Sequence, residues 1–133
     1  PEDEEVVLDS IHESLDKRFR ITLLNIVDPH DLGLSIDDLR DYSQVKEYQT
    51  KSVEELQSIA RRLRSLGYEA SPRVEIGPFI EVLDEEARAD RNDVIVLIKR
   101  RTLRGHIEKE REDSVLAVLS KYPGKTMIVR RAR

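Results

Sequence analysis

Two short segments are mainly apolar on both faces of an extended chain, and they constrain the fold more than any other feature. The first is Ile21 to Val27, "ITLLNIV", and the second is Val94 to Ile98, "VIVLI". A strand with one face in water alternates apolar and polar residues, whereas a strand covered on both faces is a nearly continuous apolar run. Both segments are rich in β-branched residues and are bounded by polar turns, so we interpret them as buried strands.

Segments with helical periodicity lie between and around these strands. Apolar residues that recur every three or four positions predict helices at residues 4–17, 43–66 and 78–88, and a fourth helix that ends before Tyr122. The residues that mark these four faces are Val7, Leu8, Ile11 and Leu15; Val53, Leu56, Ile59, Ala60, Leu63 and Leu66; Ile80, Leu83 and Ala87; and Val115, Leu116, Val118 and Leu119. Gly67 is expected to end the second helix.

Two further strands complete the pattern. Residues 73–76, "RVEI", alternate polar and apolar side chains and predict a short edge strand, and residues 125–130, "KTMIVR", predict the last strand. Strands that alternate with helices form right-handed βαβ units and a parallel sheet covered on both faces. The sequence therefore predicts a single α/β domain over residues 1–133.

Composition excludes several function classes. The chain has 133 residues, no apolar run of the roughly 20 residues that span a bilayer, and no basic, apolar start typical of a secretory signal. The net charge of −4 argues against a dedicated nucleic-acid binder. Because there is no cysteine, disulfides and thiolate chemistry are absent, and the three histidines are too far apart in sequence to indicate a metal site. These features are compatible with a cytoplasmic protein.

Three segments together resemble one known family. They are residues 20–29, "RITLLNIVDP"; residues 63–98, in which a helix ending in Leu-Gly leads to a strand, a Gly-Pro helix start and "DVIVLI"; and residues 113–130, "DSVLAVLSKYPGKTMIVR". In order and spacing they resemble the universal stress protein family. The resemblance implies a three-layer sandwich with a mostly parallel sheet of strand order 3-2-1-4-5. It also implies a stress-response or regulatory role, and a homodimer formed through the last strand, near Met127 and Val129.

The chain departs from this family at its start. The family's first strand would precede the first predicted helix, and this chain begins at "PEDEE", where that strand would have ended. Because that strand is central in the family, we expect a gap between the strands at 21–27 and 94–98, with unpaired backbone groups on both sides. We therefore expect the parent protein to continue upstream of Pro1. One such parent is a membrane transporter with a cytosolic regulatory domain of this type.

The second departure concerns nucleotide binding. ATP-binding members of the family carry Gly-x-x-Gly, about nine residues and then Gly-Ser/Thr after the fourth strand, because glycines let backbone N–H groups approach phosphates. In this chain the positions of the family's first two glycines fall near Ile98 and Arg101. The position of the final Gly-Ser/Thr pair is Asp113-Ser114, so only the serine matches. We expect no cofactor at this loop. The alternative is that ATP or another anion binds a non-standard basic site formed by Val27, Lys99, Arg100, Arg101 and Ser114.

Simpler explanations account for the remaining candidate groups. Residues 99–113 contain six basic and four acidic residues, which indicates a self-paired helical surface, and no aromatic residue interleaves the bases to stack on nucleic acid. Aspartates near His30 are more typical of helix caps than of metal ligands. No nucleophile elbow is present, so we expect no enzymatic activity and no catalytic residue. The leading hypothesis is a non-enzymatic interaction domain whose partner is a second copy or another protein.

Overall fold

Helices and strands alternate along the whole described chain, as the periodicity predicts. The computed structural model describes residues 2–35, 37–89, 92–99 and 105–130. In chain order the elements are α1 (Glu2–Ser14), β1 (Arg20–Val27), α2 (Leu39–Ser65), β2 (Glu69–Ile76), α3 (Phe79–Arg88), β3 (Val94–Lys99), α4 (Gly105–Lys121) and β4 (Thr126–Arg130). The α/β class is therefore confirmed.

The four strands form one parallel sheet in the order β2-β1-β3-β4. The two nearly continuous apolar runs, β1 and β3, are the inner strands, and the alternating segment β2 lies at an edge. Leu23, Leu24, Ile95 and Val96 have no measurable exposure, because helices cover both faces of the inner strands. The prediction of buried strands at 21–27 and 94–98 is confirmed.

The expectation of a gap between these two strands is wrong. Ile21–Leu24 pair directly with Val94–Leu97, so the flanking backbone groups satisfy one another without an intervening strand. Asp93 reinforces the junction, because its carboxylate accepts the Arg20 backbone N–H at 2.8 Å and contacts the Arg20 guanidinium at 3.3 Å. The sheet therefore closes without the family's first strand, and continuation of the parent protein upstream of Pro1 stays a prediction.

Two cores lie on opposite faces of the sheet. Alternate residues of β1 face opposite sides: Leu23 packs with α1 and α2, and Leu24 packs with α3 and α4. The N-terminal helix α1 is fixed to α2 by Arg62, whose guanidinium donates to Glu4 at 3.2 Å and also to Glu5. The result is a three-layer arrangement of helices, sheet and helices.

Several predicted boundaries shift. Helix α2 begins at Leu39 rather than Ser43, because the Asp38 carboxylate accepts the backbone N–H groups of Arg40 and Asp41 and acts as N-cap. Helix α4 begins at Gly105, so much of the charged segment belongs to it. Leu66 and Leu116, predicted on apolar faces, are 53% and 59% exposed, and Ile80 is half-buried.

Candidate functional site

The carboxyl ends of β1 and β3 form the position where parallel α/β sheets commonly bind ligands. The chain leaves β1 toward β2 on one side and leaves β3 toward β4 on the other, which makes the β1–β3 junction a topological switch point. Val27 and the backbone of Lys99 end these two strands. Arg100 and Arg101, predicted at the same corner, lie outside the described residues. The proposed anion site is therefore placed only in part.

The structure does not bring the other predicted members of this site together. Val27 is 6% exposed, and its carbonyl accepts the Gly77 N–H at 3.0 Å, so it binds β2 rather than facing an open site. Ser114 lies in the middle of α4, nine residues after Gly105, which is about 14 Å along the helix axis at 1.5 Å per residue. Ser114 therefore lies well away from the start of α4.

Asp28, one of the aspartates near His30 that the sequence analysis assigned in general to helix caps and turns, lies at this edge of the sheet. Asp28 follows β1 directly; its Oδ2 accepts the Phe79 N–H at 3.1 Å and its Oδ1 accepts the His30 N–H at 3.0 Å. Pro78, the N-cap residue of α3, provides no side-chain cap, so Asp28 supplies it from another element. The start of a helix carries partial positive charge. The protein's own carboxylate therefore caps this helix start and places a negative charge there.

Metal and membrane sites find no support in the described residues. Within residues 2–35, 37–89, 92–99 and 105–130, no group of three or more histidine, aspartate or glutamate residues is arranged to hold a metal ion. No helix in the same part of the chain combines the length and the apolar character needed to cross a bilayer. The exposed His30 lies in the turn after β1, and His12 Nδ1 lies 3.3 Å from the Tyr68 hydroxyl.

A small polar cleft of about 190 Å³ lies over the amino-terminal part of β1 and β2. Its lining includes Arg20 and Arg73, but Arg20 is paired with Asp93, and Arg73 contacts Glu75 at 3.0 Å and the deeply buried Glu86 at 2.9 Å. The protein's own acids therefore compensate both arginines. The polar lining is what the wet face of an edge strand is expected to show.

Among the strands of the described residues, none neighbours the outer edge of β4, which therefore presents unpaired ladder positions. Ile95 donates its N–H to the Lys125 carbonyl at 2.7 Å, which turns the backbone of Lys125, Met127 and Val129 toward β3. Successive residues of a strand direct their backbone groups to opposite sides. The N–H and C=O groups of Thr126, Ile128 and Arg130 therefore point outward.

The outer edge of β2 is different. Because Gly77 donates to the Val27 carbonyl, the odd-numbered residues of β2 bond toward β1, and Ala70, Pro72, Val74 and Ile76 point outward. Pro72 has no N–H to offer, and the Ala70 carbonyl already accepts a hydrogen bond from Arg64 Nε at 3.0 Å. The two edges of the sheet therefore differ in their capacity to add a strand.

The candidate interaction surfaces of the described residues are thus the two strand edges and the carboxyl edge of the sheet. No family model, curated protein or solved structure matches this chain. The resemblance to the universal stress proteins therefore stays an expectation from the three sequence segments.

Proposed function

We propose that this chain is a non-enzymatic regulatory and interaction domain of universal stress protein type that pairs with a second copy of itself through β4. The observation that carries the proposal is the position of β4 at the edge of the sheet, with the backbone of Thr126, Ile128 and Arg130 directed outward. An edge strand of this kind is a template for another strand.

Antiparallel pairing of two identical strands gives a self-complementary two-fold interface. Ile128 is the middle of the three outward residues, so a two-fold axis beside it sets Thr126 of one copy opposite Arg130 of the other. Met127 and Val129, for which the resemblance implies a place near the contact, then adjoin the hydrogen-bonded residues. The two parallel sheets join into one continuous sheet.

The carboxyl edge favours this proposal over the nucleotide alternative. ATP binding would need phosphate oxygens near the β1–β3 switch point, and a carboxylate, Asp28, directly follows β1 at that edge, where it accepts the Phe79 N–H. A second carboxylate, Asp113, replaces a glycine of the family's phosphate loop. The proposed function therefore involves no ATP bound by the usual glycine loop.

The resemblance also bears on cellular context. Within the proposal the domain is cytoplasmic, either as a stress-response protein or as the cytosolic regulatory domain of a membrane transporter. In both settings the paired edges bring two chains into one unit. The test of pairing is the same for both.

Ile128→Pro tests the proposal because proline removes the central outward N–H of β4 while leaving the bonds toward β3 in place. We expect the unmodified chain at high micromolar concentration to sediment at twice the 15.4 kDa of one chain. We expect Ile128→Pro to weaken association by at least about tenfold, which corresponds to about 1.4 kcal/mol. Sedimentation equilibrium measures both quantities.

The matched control is Val74→Pro, which removes an outward N–H from the other edge of the sheet and should leave the two-chain species intact. Circular dichroism and thermal unfolding establish that both variants remain folded. An unmodified chain that sediments as a monomer at high micromolar concentration contradicts the proposal, and so does equal weakening by the two prolines.

A further inference from the structure

We propose that Arg64 and Pro72 close the β2 edge, so that strand addition is confined to β4 and assembly stops at two chains. The part of this inference that concerns two chains rests on the proposed function. The part that concerns the β2 edge stands on the contacts of α2 and β2. It assigns these two residues a role in determining the stoichiometry of assembly.

Pro72 removes a donor at the centre of the edge. Residues 70, 72, 74 and 76 point away from β1, because the intervening residues bond to it. Pro72 pairs in register with Leu23, and no ladder bond toward β1 is lost, because its nitrogen faces outward. An incoming strand would find an acceptor at this position with no donor beside it. Such a gap in the middle of an eight-residue strand opposes regular pairing.

Arg64 occupies a hydrogen-bond acceptor of the same edge, the carbonyl of Ala70, two residues before Pro72. Its Nε donates to the outward Ala70 carbonyl at 3.0 Å, and the guanidinium lies beside the strand edge. Arg64 belongs to the last turn of α2, and the chain turns back into β2 through Gly67, which has a φ of +97°. Donor and acceptor are six positions apart in sequence, so the contact lies within one helix–turn–strand unit. An incoming strand would have to displace the guanidinium before it could bond Ala70.

The closed edge determines how far assembly proceeds. A sheet with two open edges remains able to add a strand after one edge has paired, which leads to open-ended chains. With β2 closed, two-fold pairing at β4 buries the only edge that accepts a strand among the described elements. The paired species then exposes two closed β2 edges and does not grow.

The double variant Arg64→Ala with Pro72→Val tests the inference. The first change frees the Ala70 carbonyl, and the second restores an outward N–H with a residue that favours strands. Arg61→Ala is the matched control, because Arg61 is an exposed arginine on the same helix three residues earlier. In sedimentation velocity from low to high micromolar concentration, we expect species larger than two chains for the double variant. We expect the two-chain mass for the unmodified chain and the control.

A second background separates this inference from the proposed function. In Ile128→Pro the β4 edge is blocked, so opening β2 should convert a one-chain species into a two-chain species. This experiment in the Ile128→Pro background tests the β2 edge even if the unmodified chain is monomeric, because it does not depend on pairing at β4. Hydrogen exchange of the new amide at position 72 should slow as the variant associates.

A folded double variant that sediments like its parent in both backgrounds overturns the inference. Each single change opens part of the edge and is expected to give weaker association than the pair of changes. If the double variant does not fold, the single variants carry the same test, and parental sedimentation of both again overturns the inference. Equal self-association of Arg61→Ala would overturn it as well, since that change leaves the edge closed.

Discussion

At the residue scale, the contact between Asp93 and Arg20 joins the two inner strands and makes the free energy of unfolding depend on pH in the acidic range. The hydrogen bond from the Arg20 side chain is the main cause that lowers the pKa of the Asp93 carboxyl below its ordinary value of 3.8. A lowered pKa contributes stability that is present above the unfolded pKa and is lost as pH falls through the folded pKa. We therefore expect Asp93→Asn to unfold more easily at neutral pH and to lose less stability below about pH 4. Urea unfolding as a function of pH measures both effects.

Asp16 provides the control for this prediction. Its pKa is also lowered, chiefly by a side-chain hydrogen bond from Arg18, but the two residues are only two positions apart in the turn after α1. Because residues two positions apart can also make such a contact in the unfolded chain, we expect it to contribute little to the free-energy difference between the two states. An acid transition that responds to Asp16→Asn as strongly as to Asp93→Asn would argue against the assigned role of Asp93.

Some single-residue features can be predicted from the sequence, and others cannot. The positions of Val27 and Lys99 at strand ends follow from the apolar pattern, because a strand's length and its polar boundary are local features. The roles of Asp28 and Arg64 do not follow, because each side chain bonds a backbone group that becomes its neighbour only through folding. Pro72 was visible in the sequence, but its outward direction depends on the register with β1.

At the element scale, periodicity identified the helices but not which part of each apolar face is covered. Leu83 in α3 has no measurable exposure, whereas Leu116 in α4 is 59% exposed, although the sequence analysis placed both residues on apolar helix faces. We expect Leu83→Ala to lower the free energy of unfolding by about 2–5 kcal/mol, because it leaves a cavity in the core. We expect Leu116→Ala to change it by no more than about 0.5 kcal/mol. Urea denaturation compares these two identical substitutions directly.

This comparison also tests how α3 and α4 pack on the sheet. Both substitutions replace leucine by alanine within a helix, where alanine is the better helix former, so helix propensity does not separate them. Similar losses of stability for the two variants would mean that α4 buries Leu116 and is rotated about its axis. The difference between the two leucines depends on the orientation of each helix, which periodicity alone does not determine.

At the scale of the whole molecule, β1 pairs directly with β3, and this pairing differs from what the family resemblance implies. The resemblance implies a further strand between them, since its five-stranded order is 3-2-1-4-5. In this chain the order is β2-β1-β3-β4, and every adjacent pair is parallel. The strand sequences predicted central positions for β1 and β3, but burial on both faces does not say which strand is the neighbour.

Introduced cysteines distinguish the two arrangements, because the natural chain contains none. Thr22 and Ile95 are partners in register, so their Cα atoms are expected about one strand spacing apart, roughly 4.8 Å. That separation lies within the range that a disulfide spans. We expect the Thr22→Cys, Ile95→Cys variant to form an intramolecular disulfide on mild oxidation, measured by thiol counting and mass spectrometry.

The control is Thr22→Cys with Thr126→Cys, since Thr126 pairs with Ile95 on its far side and lies about two spacings, roughly 9.6 Å, from Thr22. If another strand separated β1 from β3, Thr22 and Ile95 would lie equally far apart, and neither variant would cross-link.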